Sequence, residues 1–400
     1  MTRWESRHRR SSSHGVTPPC PDGSCELGNA PADQAAWDLG DPPAQAMVEV
    51  IRDFAGLTAF EGEWEALHRA DPWASVFTSS AWVRGRLAGI SDPWCVLVAR
   101  HGAGQPALGV LPLRRLPSSP MEQIPWAAED EVPSMEGEAV RGLGMAGSPL
   151  ADYTGFVCSP RHETPALAAL AKHIQRNLDW RYLVLLDVLD PRLDAFLSHF
   201  PEPEFRIERR PSTPCPYLTL PPSWEAYLDK GPRPRLRREI RHDLRAMEGL
   251  GGFRRTSIQE GGQRQIEILL DLWQGRWGFL PEAQLAQYRS ILVSCLASGC
   301  LWLDILWDRD HPLAGLLAFL DRGQRSFGFY LTGFDRRYAR LSPGTVVVAH
   351  AIREAIGNGY RVFDFLRGDE PYKFAFGAEV RHTRHVTVVR RTTPPPRGAR

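Results

Sequence analysis

Apolar positions along this chain fall into two successive blocks with the same order of periods. In the first block, residues 47–54 (MVEVIRDF) alternate as a strand, and residues 56–70 place Leu57, Phe60, Trp64 and Leu67 at helical spacing. A second helix is predicted over 78–87, with Thr78 or Ser79 as its N-cap. Residues 94–100 and 106–116 read as two strands around the hairpin signal HGAG. Residues 118–147 show no period. A short strand is predicted over 152–158, then a helix opened by Thr164-Pro165 with Leu167, Leu170, Ile174 and Leu178 on one face. Residues 181–189 (RYLVLLDVL) form a continuous apolar run, the pattern of a strand covered on both faces.

The second block follows the same plan. Helices are predicted over 223–229, 233–249, 263–277 and 281–298. A strand pair follows at 301–307 and 313–321, then an aromatic strand from 326, a helix over 345–356 and a strand over 360–366. The helix-to-strand ends of the blocks align as RNLDWRYLVLLDVLD and IGNGYRVFDFLRGD. The pattern therefore predicts an α/β protein built from two copies of one unit. Residues 1–45 and 391–400 read as disordered tails, 46–210 as the first domain and 211–390 as the second.

Composition narrows the classes. The chain has 400 residues, 43% hydrophobic and 24% charged, with a net charge of +1. Such a balance supports sizeable cores and gives no global attraction to DNA or anionic membrane. Seven cysteines are scattered without a CxxC pair, which fits reduced thiols in a cytoplasmic protein rather than a zinc site or a disulfide framework. The basic N-terminus lacks the apolar run of a secretory signal, and no apolar stretch reaches membrane-spanning length. Lys172, Lys230 and Lys373 are the only lysines among 48 basic residues. His382 and His385 are three apart on a predicted strand and face opposite sides, so no metal pair is expected. HExxH, GxSxG and GxxxxGK[ST] are absent.

Candidate chemistry concentrates in residues 326–379. A strand leading through a cationic loop into a helix N-terminus is an anion site, because free backbone N–H groups point outward there. The loop supplies Arg336, Arg337, Arg340, Ser342, Gly344 and Thr345; the competing reading is a helix cap with a solvated arginine face. The first block enters its helix through Ser-Pro-Arg-His-Glu-Thr-Pro, with no glycine to admit a phosphate. After the next strand, Arg367, Asp369, Glu370, Tyr372 and Lys373 crowd one short turn; the bland alternative is a salt-bridged cap. Asp364 lies among apolar neighbours and must be paired, with Arg367 or a substrate amine as the candidate partner. Eight arginines in 231–255 could grip phosphates or form a solvated helix face.

SPG before a helix, joined to DFLRGDEPYKFAFG after the next strand, resembles the CelD/BcsL-like (BioF2-like) acetyltransferases of the GNAT class. These are relatives of the FemA/FemB aminoacyltransferases. The resemblance implies tandem GNAT-like units and transfer of an acyl group, above all acetyl, from acetyl-CoA or another acyl-CoA to an amine or hydroxyl. The acceptor would be a small or glycan-linked molecule, in polysaccharide or envelope biosynthesis. It further implies diphosphate binding at Arg340–Thr345, Tyr372 as acid, Glu370 or Asp369 as base, and Lys373 at an oxyanion or anionic substrate. Asp152 and Tyr153 would hold the acceptor. Pro343 and Thr345 stand where the usual GNAT loop carries glycine and glycine or alanine. The alternatives are an aminoacyl-tRNA-dependent transferase of the Fem kind and a non-catalytic partner in an envelope-building complex.

Overall fold

A computed structural model describes residues 46–116, 141–211, 213–249, 253–258 and 262–391. The predicted tails, apart from Arg391, and most of the aperiodic stretch after residue 117 lie outside the described residues.

In chain order, the first half contains β1 (Met47–Ile51), α1 (Phe54–Ala70), α2 (Ser80–Ala88), β2 (Trp94–Arg100), β3 (Ala107–Arg115), β4 (Gly142–Met145), β5 (Val157–Cys158), α3 (Glu163–Asn177), β6 (Tyr182–Val188), α4 (Leu193–Leu197) and β7 (Phe205–Arg210). The second half contains β8 (Pro214–Thr219), α5 (Trp224–Lys230), α6 (Pro234–Gly249), β9 (Phe253–Ser257), α7 (Gly262–Trp277), α8 (Glu282–Ala297), β10 (Leu301–Asp308), β11 (His311–Asp321), β12 (Ser326–Phe334), α9 (Pro343–Gly357), β13 (Val362–Asp364), α10 (Pro371–Ala375), β14 (Glu379–His382) and β15 (Arg384–Arg390).

These strands form two mixed sheets, β1-β2-β3-β4-β6-β15-β7, with β5 paired to β3 off this path, and β9-β10-β11-β12-β13-β8-β14. The orders correspond strand for strand. The correspondence reaches single hydrogen bonds. Gly142–Gly144 of β4 run parallel to Tyr182–Val184 of β6, as Ser326–Gly328 of β12 run parallel to Val362–Asp364 of β13. Each parallel pair is opened by the same contact: Arg181 and Tyr182 donate their amides to Arg141 O at 2.7 and 3.3 Å, and Arg361 and Val362 donate to Arg325 O at 2.8 and 3.3 Å.

One strand crosses from the second half to the first. β8 sits between β13 and β14, whereas β15, at the far end of the chain, sits between β6 and β7. Residues 384–390 thus complete the sheet of the first half, although they follow the second half in sequence. Helices α2 and α8 also cross between halves at Gly85, where an added Cβ would lie 2.6 Å from Ile291 Cα and 2.8 Å from Ser290 O. One apolar core runs through this contact, with Trp64, Trp82, Ile291 and Phe319 all buried in it. Separate cores lie under α3 and α9.

One local expectation is corrected. Residues 152–158 do not form one strand: only Val157–Cys158 does, with a single bridge from Thr154 to Val188. The third strand of the first repeat is Gly142–Met145, at the end of the stretch that shows no period. Its glycines hide the strand pattern and lie close against Leu116, whose Cδ2 would be 2.8 Å from a Cβ on Gly144.

Candidate active site

The ladder between β12 and β13 ends at Gly328 and Asp364. Beyond it the chain turns sharply: Leu366 has φ 58° and Gly368 φ 108°. Leucine rarely adopts such a φ, so packing must hold it there. On the other side, the β11–β12 register shifts between Leu317 and Ala318, which face Leu331 and Phe329. Tyr330 is the extra residue of this β-bulge. A wedge opens between the two strands.

A cavity of about 440 Å³ fills the wedge and extends into the first half. Phe329, Tyr330 and Phe365 form its second-half wall, while Trp273, Trp277 and Tyr288 close it from α7 and α8. Pro149, Leu150, Asp152, Leu186 and Asp187 supply the first-half wall. Tyr330 Oη donates to Leu150 O at 2.9 Å and ties the walls together.

Arg367 stands at the centre. Its Nε donates to Asp152 Oδ1 at 2.8 Å, its Nη1 to Asp187 Oδ2 at 2.5 Å and its Nη2 to Pro149 O at 2.8 Å. His385 Nε2 lies 3.1 Å from Asp187 Oδ1. The two carboxylates respond differently. Burial drives Asp152 above the ordinary carboxylate range despite Arg367. Burial pushes Asp187 the same way, but Arg367 and His385 outweigh it and hold Asp187 below that range. Asp187 itself has φ 53°, another left-handed position at the cavity wall.

Most predicted catalytic residues line the cavity. Tyr372 faces it, and burial followed by the nearby Glu370 charge pushes its phenol up, so Tyr372 is protonated at neutral pH. Glu370 lines the wall with its side chain 45% exposed, 2.9 Å from Lys373 Nζ. Lys373 is buried, and its ammonium donates to Arg367 O at 2.6 Å and Gly368 O at 3.2 Å. It braces the turn that carries Arg367. Asp369 is exposed and lies outside the cavity lining.

The substrate candidates divide. Asp152 and Arg367 line the cavity as partners of one another. Asp364 does not pair with Arg367: it accepts from Arg381, from Tyr153 Oη at 2.9 Å and from Leu366 N at 2.9 Å. Tyr153 is used in that buried pair and is not part of the cavity lining. Asp364 ends β13 and Asp152 lies in a buried bend, and each takes the nearest cation.

The predicted anion loop lies past the end of β12. Residues Arg336–Leu341 form a 3-10 helix capped by Asp335, and Ser342 at φ 49° turns the chain into α9. The Ser342 side chain makes no capping bond to the helix. Arg336, Arg337 and Arg340 are exposed, while Gly344 and Thr345 in the first turn are half-buried. A Cβ on Gly344 would sit 3.4 Å from Phe334, an ordinary contact, so local packing does not require glycine there. Arg276 connects loop and cavity: its guanidinium stacks over Trp277 and Phe334 at 4.6 and 4.7 Å, and Arg336 donates to its carbonyl.

The equivalent entrance in the first half is closed by its own charges. Glu163 occupies the first turn of α3 and accepts from Arg192 at 3.1 Å. Arg192 also binds Asp190 and Asp71 at 2.8 and 3.0 Å, and a Cβ on Gly155 would meet Asp190 Oδ2 at 2.9 Å. Sequence reading missed Asp187, Arg276, Tyr288 and Tyr330. Only Asp187 had a usable signal, because the aligned strand ends place it opposite Arg367.

Residues 234–374 match the family described as acetyltransferase (GNAT) domain. That span holds α6, the anion loop and the turn through Lys373. No curated protein matches the chain in sequence. Among solved structures, FemX superposes with a TM-score of 0.55 at 14% identity, over 84% of this chain and 96% of FemX. The C-terminal domain of a candidate lysylphosphatidylglycerol synthetase from Agrobacterium fabrum gives 0.50 at 11% identity, over 84% and 93%. These likenesses concern the fold. The chain thus carries an acetyltransferase (GNAT) domain match inside a mixed α/β fold of two mixed sheets, shared in outline with FemX.

Proposed function

We propose that the protein is an acyl-CoA-dependent acyltransferase whose reaction takes place in the wedge between β12 and β13. The observation that carries this reading is the alignment of three features at one end of the second sheet. They are the bulge at Tyr330, the aromatic cavity, and the uncapped helix entrance at Ser342–Thr345 flanked by arginines. An exposed helix N-terminus with nearby guanidinium forks suits a diphosphate, and Gly344 leaves room for its approach. The donor supplies an activated thioester carbonyl. The bulge takes Tyr330 out of ladder pairing and makes its backbone a candidate for polarising that carbonyl.

Tyr372, protonated and beside the cavity, donates the proton that the departing thiolate takes up. Glu370, half-exposed next to it, accepts the acceptor's proton through water. Lys373 and Arg367 keep the turn in place. In this reading residues 211–390 are the catalytic domain and 46–210 a scaffold whose own helix entrance is plugged. The SPG and DFLRGDEPYKFAFG segments support a CelD/BcsL-like enzyme acting on a small or glycan-linked amine or hydroxyl, and the cysteines without a CxxC pair support a cytoplasmic location.

Thermal denaturation with CoA and acetyl-CoA tests the donor. A ligand at a hundred times its Kd stabilises by about 2.7 kcal/mol. A melting temperature that does not move at saturating concentrations of either compound removes this reading.

A further inference from the structure

Two cavities, of about 920 and 800 Å³, meet along the C-terminal half of α9, where Glu354 and Asn358 line both. Helix α9 has 15 residues, so this groove lies roughly 15–20 Å along the helix from the loop at Ser342. It belongs to neither the wedge nor the anion loop.

The groove is cationic. Arg254 and Arg255 come from β9, Arg353 from α9, and Arg322 and Arg325 from the turn between β11 and β12. Glu354 is the one acid among the described residues lining either cavity. Arg255 answers it at 3.9 Å and binds Asp304 at 3.1 Å. Arg254 is held in place, its guanidinium 4.6 Å over the Trp307 ring and its Nε donating to Arg309 O at 3.3 Å. His350, on the same face of α9 as Arg353 and Glu354, is kept neutral by burial and then by Arg255 and Arg353. Half-buried aromatic side chains line the same cavities as these cations, Trp224 in the larger and Trp302 and Tyr360 in the smaller. The strongly basic α6 contributes Leu244 to one wall.

Two adjoining cavities that each carry guanidinium groups and aromatic rings suit a phosphodiester strand, whose charges pair with arginine and whose bases stack on the rings. Two joined cavities are longer than one nucleotide needs. We propose that this groove binds single-stranded nucleic acid, at a site separate from acyl transfer. The net charge of +1 does not oppose this, because the attraction is local.

Fluorescence anisotropy of the full chain with fluorescein-labelled U12 RNA and dT12 DNA tests the proposal, with no acyl donor present. Saturable binding is expected at 50 mM salt. With about three phosphates neutralised it should weaken roughly twenty-fold at 200 mM. Arg353→Glu and Arg322→Glu should each weaken it at least five-fold, and Arg161→Glu, on the first half, should leave it unchanged. Circular dichroism of each variant checks folding. Absent binding at 50 mM salt, binding insensitive to Arg353→Glu and Arg322→Glu, or equal competition by base-free polyphosphate would each overturn the proposal. Because no donor is present, failure here and failure of the CoA test are independent.

Discussion

Arg367 Nη1 lies 2.5 Å from Asp187 Oδ2, and these two residues occupy equivalent positions in the aligned strand ends of the two repeats. The ion pair joins the halves at the cavity that they share. Asp152 binds the other side of the same guanidinium at 2.8 Å. Removing the cation would leave Asp152 buried without its ion-pair partner and Asp187 with only His385 and Thr383 beside it. Arg367→Ala should therefore cost about 3–5 kcal/mol of stability, measured by urea denaturation at neutral pH. A cost below about 1 kcal/mol would show that the cation is not what compensates these acids.

Tyr372→Phe removes one hydroxyl and leaves the ring that packs near Phe365. If Tyr372 protonates the leaving thiolate, kcat should fall roughly a hundred-fold with the melting temperature unchanged. Acetyl transfer at the wild-type rate by this variant would exclude it as the acid.

Gly344→Ala separates packing from ligand binding. The added methyl meets only an ordinary contact with Phe334 at 3.4 Å, and alanine favours a helix over glycine by up to about 1 kcal/mol. Stability should hold or rise slightly, while CoA affinity falls because the methyl stands where a phosphate would approach. Calorimetric titration with CoA measures this; equal affinity in both proteins would place the diphosphate elsewhere.

His350 links stability to pH. Burial, then Arg255 and Arg353, lower it from 6.5 to about 4. The unfolded chain binds this proton more readily, so the contribution is complete above about pH 6.5 and is lost as pH falls towards 4. The total is on the order of 3 kcal/mol at most. His350→Gln should flatten the stability profile between pH 4 and 6.5; an unchanged slope would assign the acid sensitivity to other groups.

The α2–α8 crossing has no space for a side chain at Gly85. Gly85→Ala should strain the contact with Ile291 and Ser290 by about 1–3 kcal/mol. Thermal denaturation reads this directly, and an unaltered melting temperature would show that the helices can separate without loss.

Much of this protein is legible in its sequence because local periods survive folding. Leu57, Phe60, Trp64 and Leu67 announce α1, and all four are buried. The repeat is visible in the matching ends of the strands that became β6 and β13. Lys373 stands out in composition, and its segment carries the family resemblance. Strand β4 was not legible, because Gly142 and Gly144 satisfy close packing rather than a hydrophobic pattern. The partners of Asp364 were not legible either, since Tyr153 and Arg381 are distant in sequence.

The sequence by itself determined most of the element types, the duplication and the glycine at the helix entrance of the second block that the first block lacks. Those properties depend on residue spacing and on which side chains lie within a turn of one another. Only the tertiary structure decided that β15 joins the sheet of the first half and that Asp187 meets Arg367. Each of these joins residues far apart in the chain, and the choice of partner follows from burial: a charged group removed from water takes whichever opposite charge the fold brings within reach.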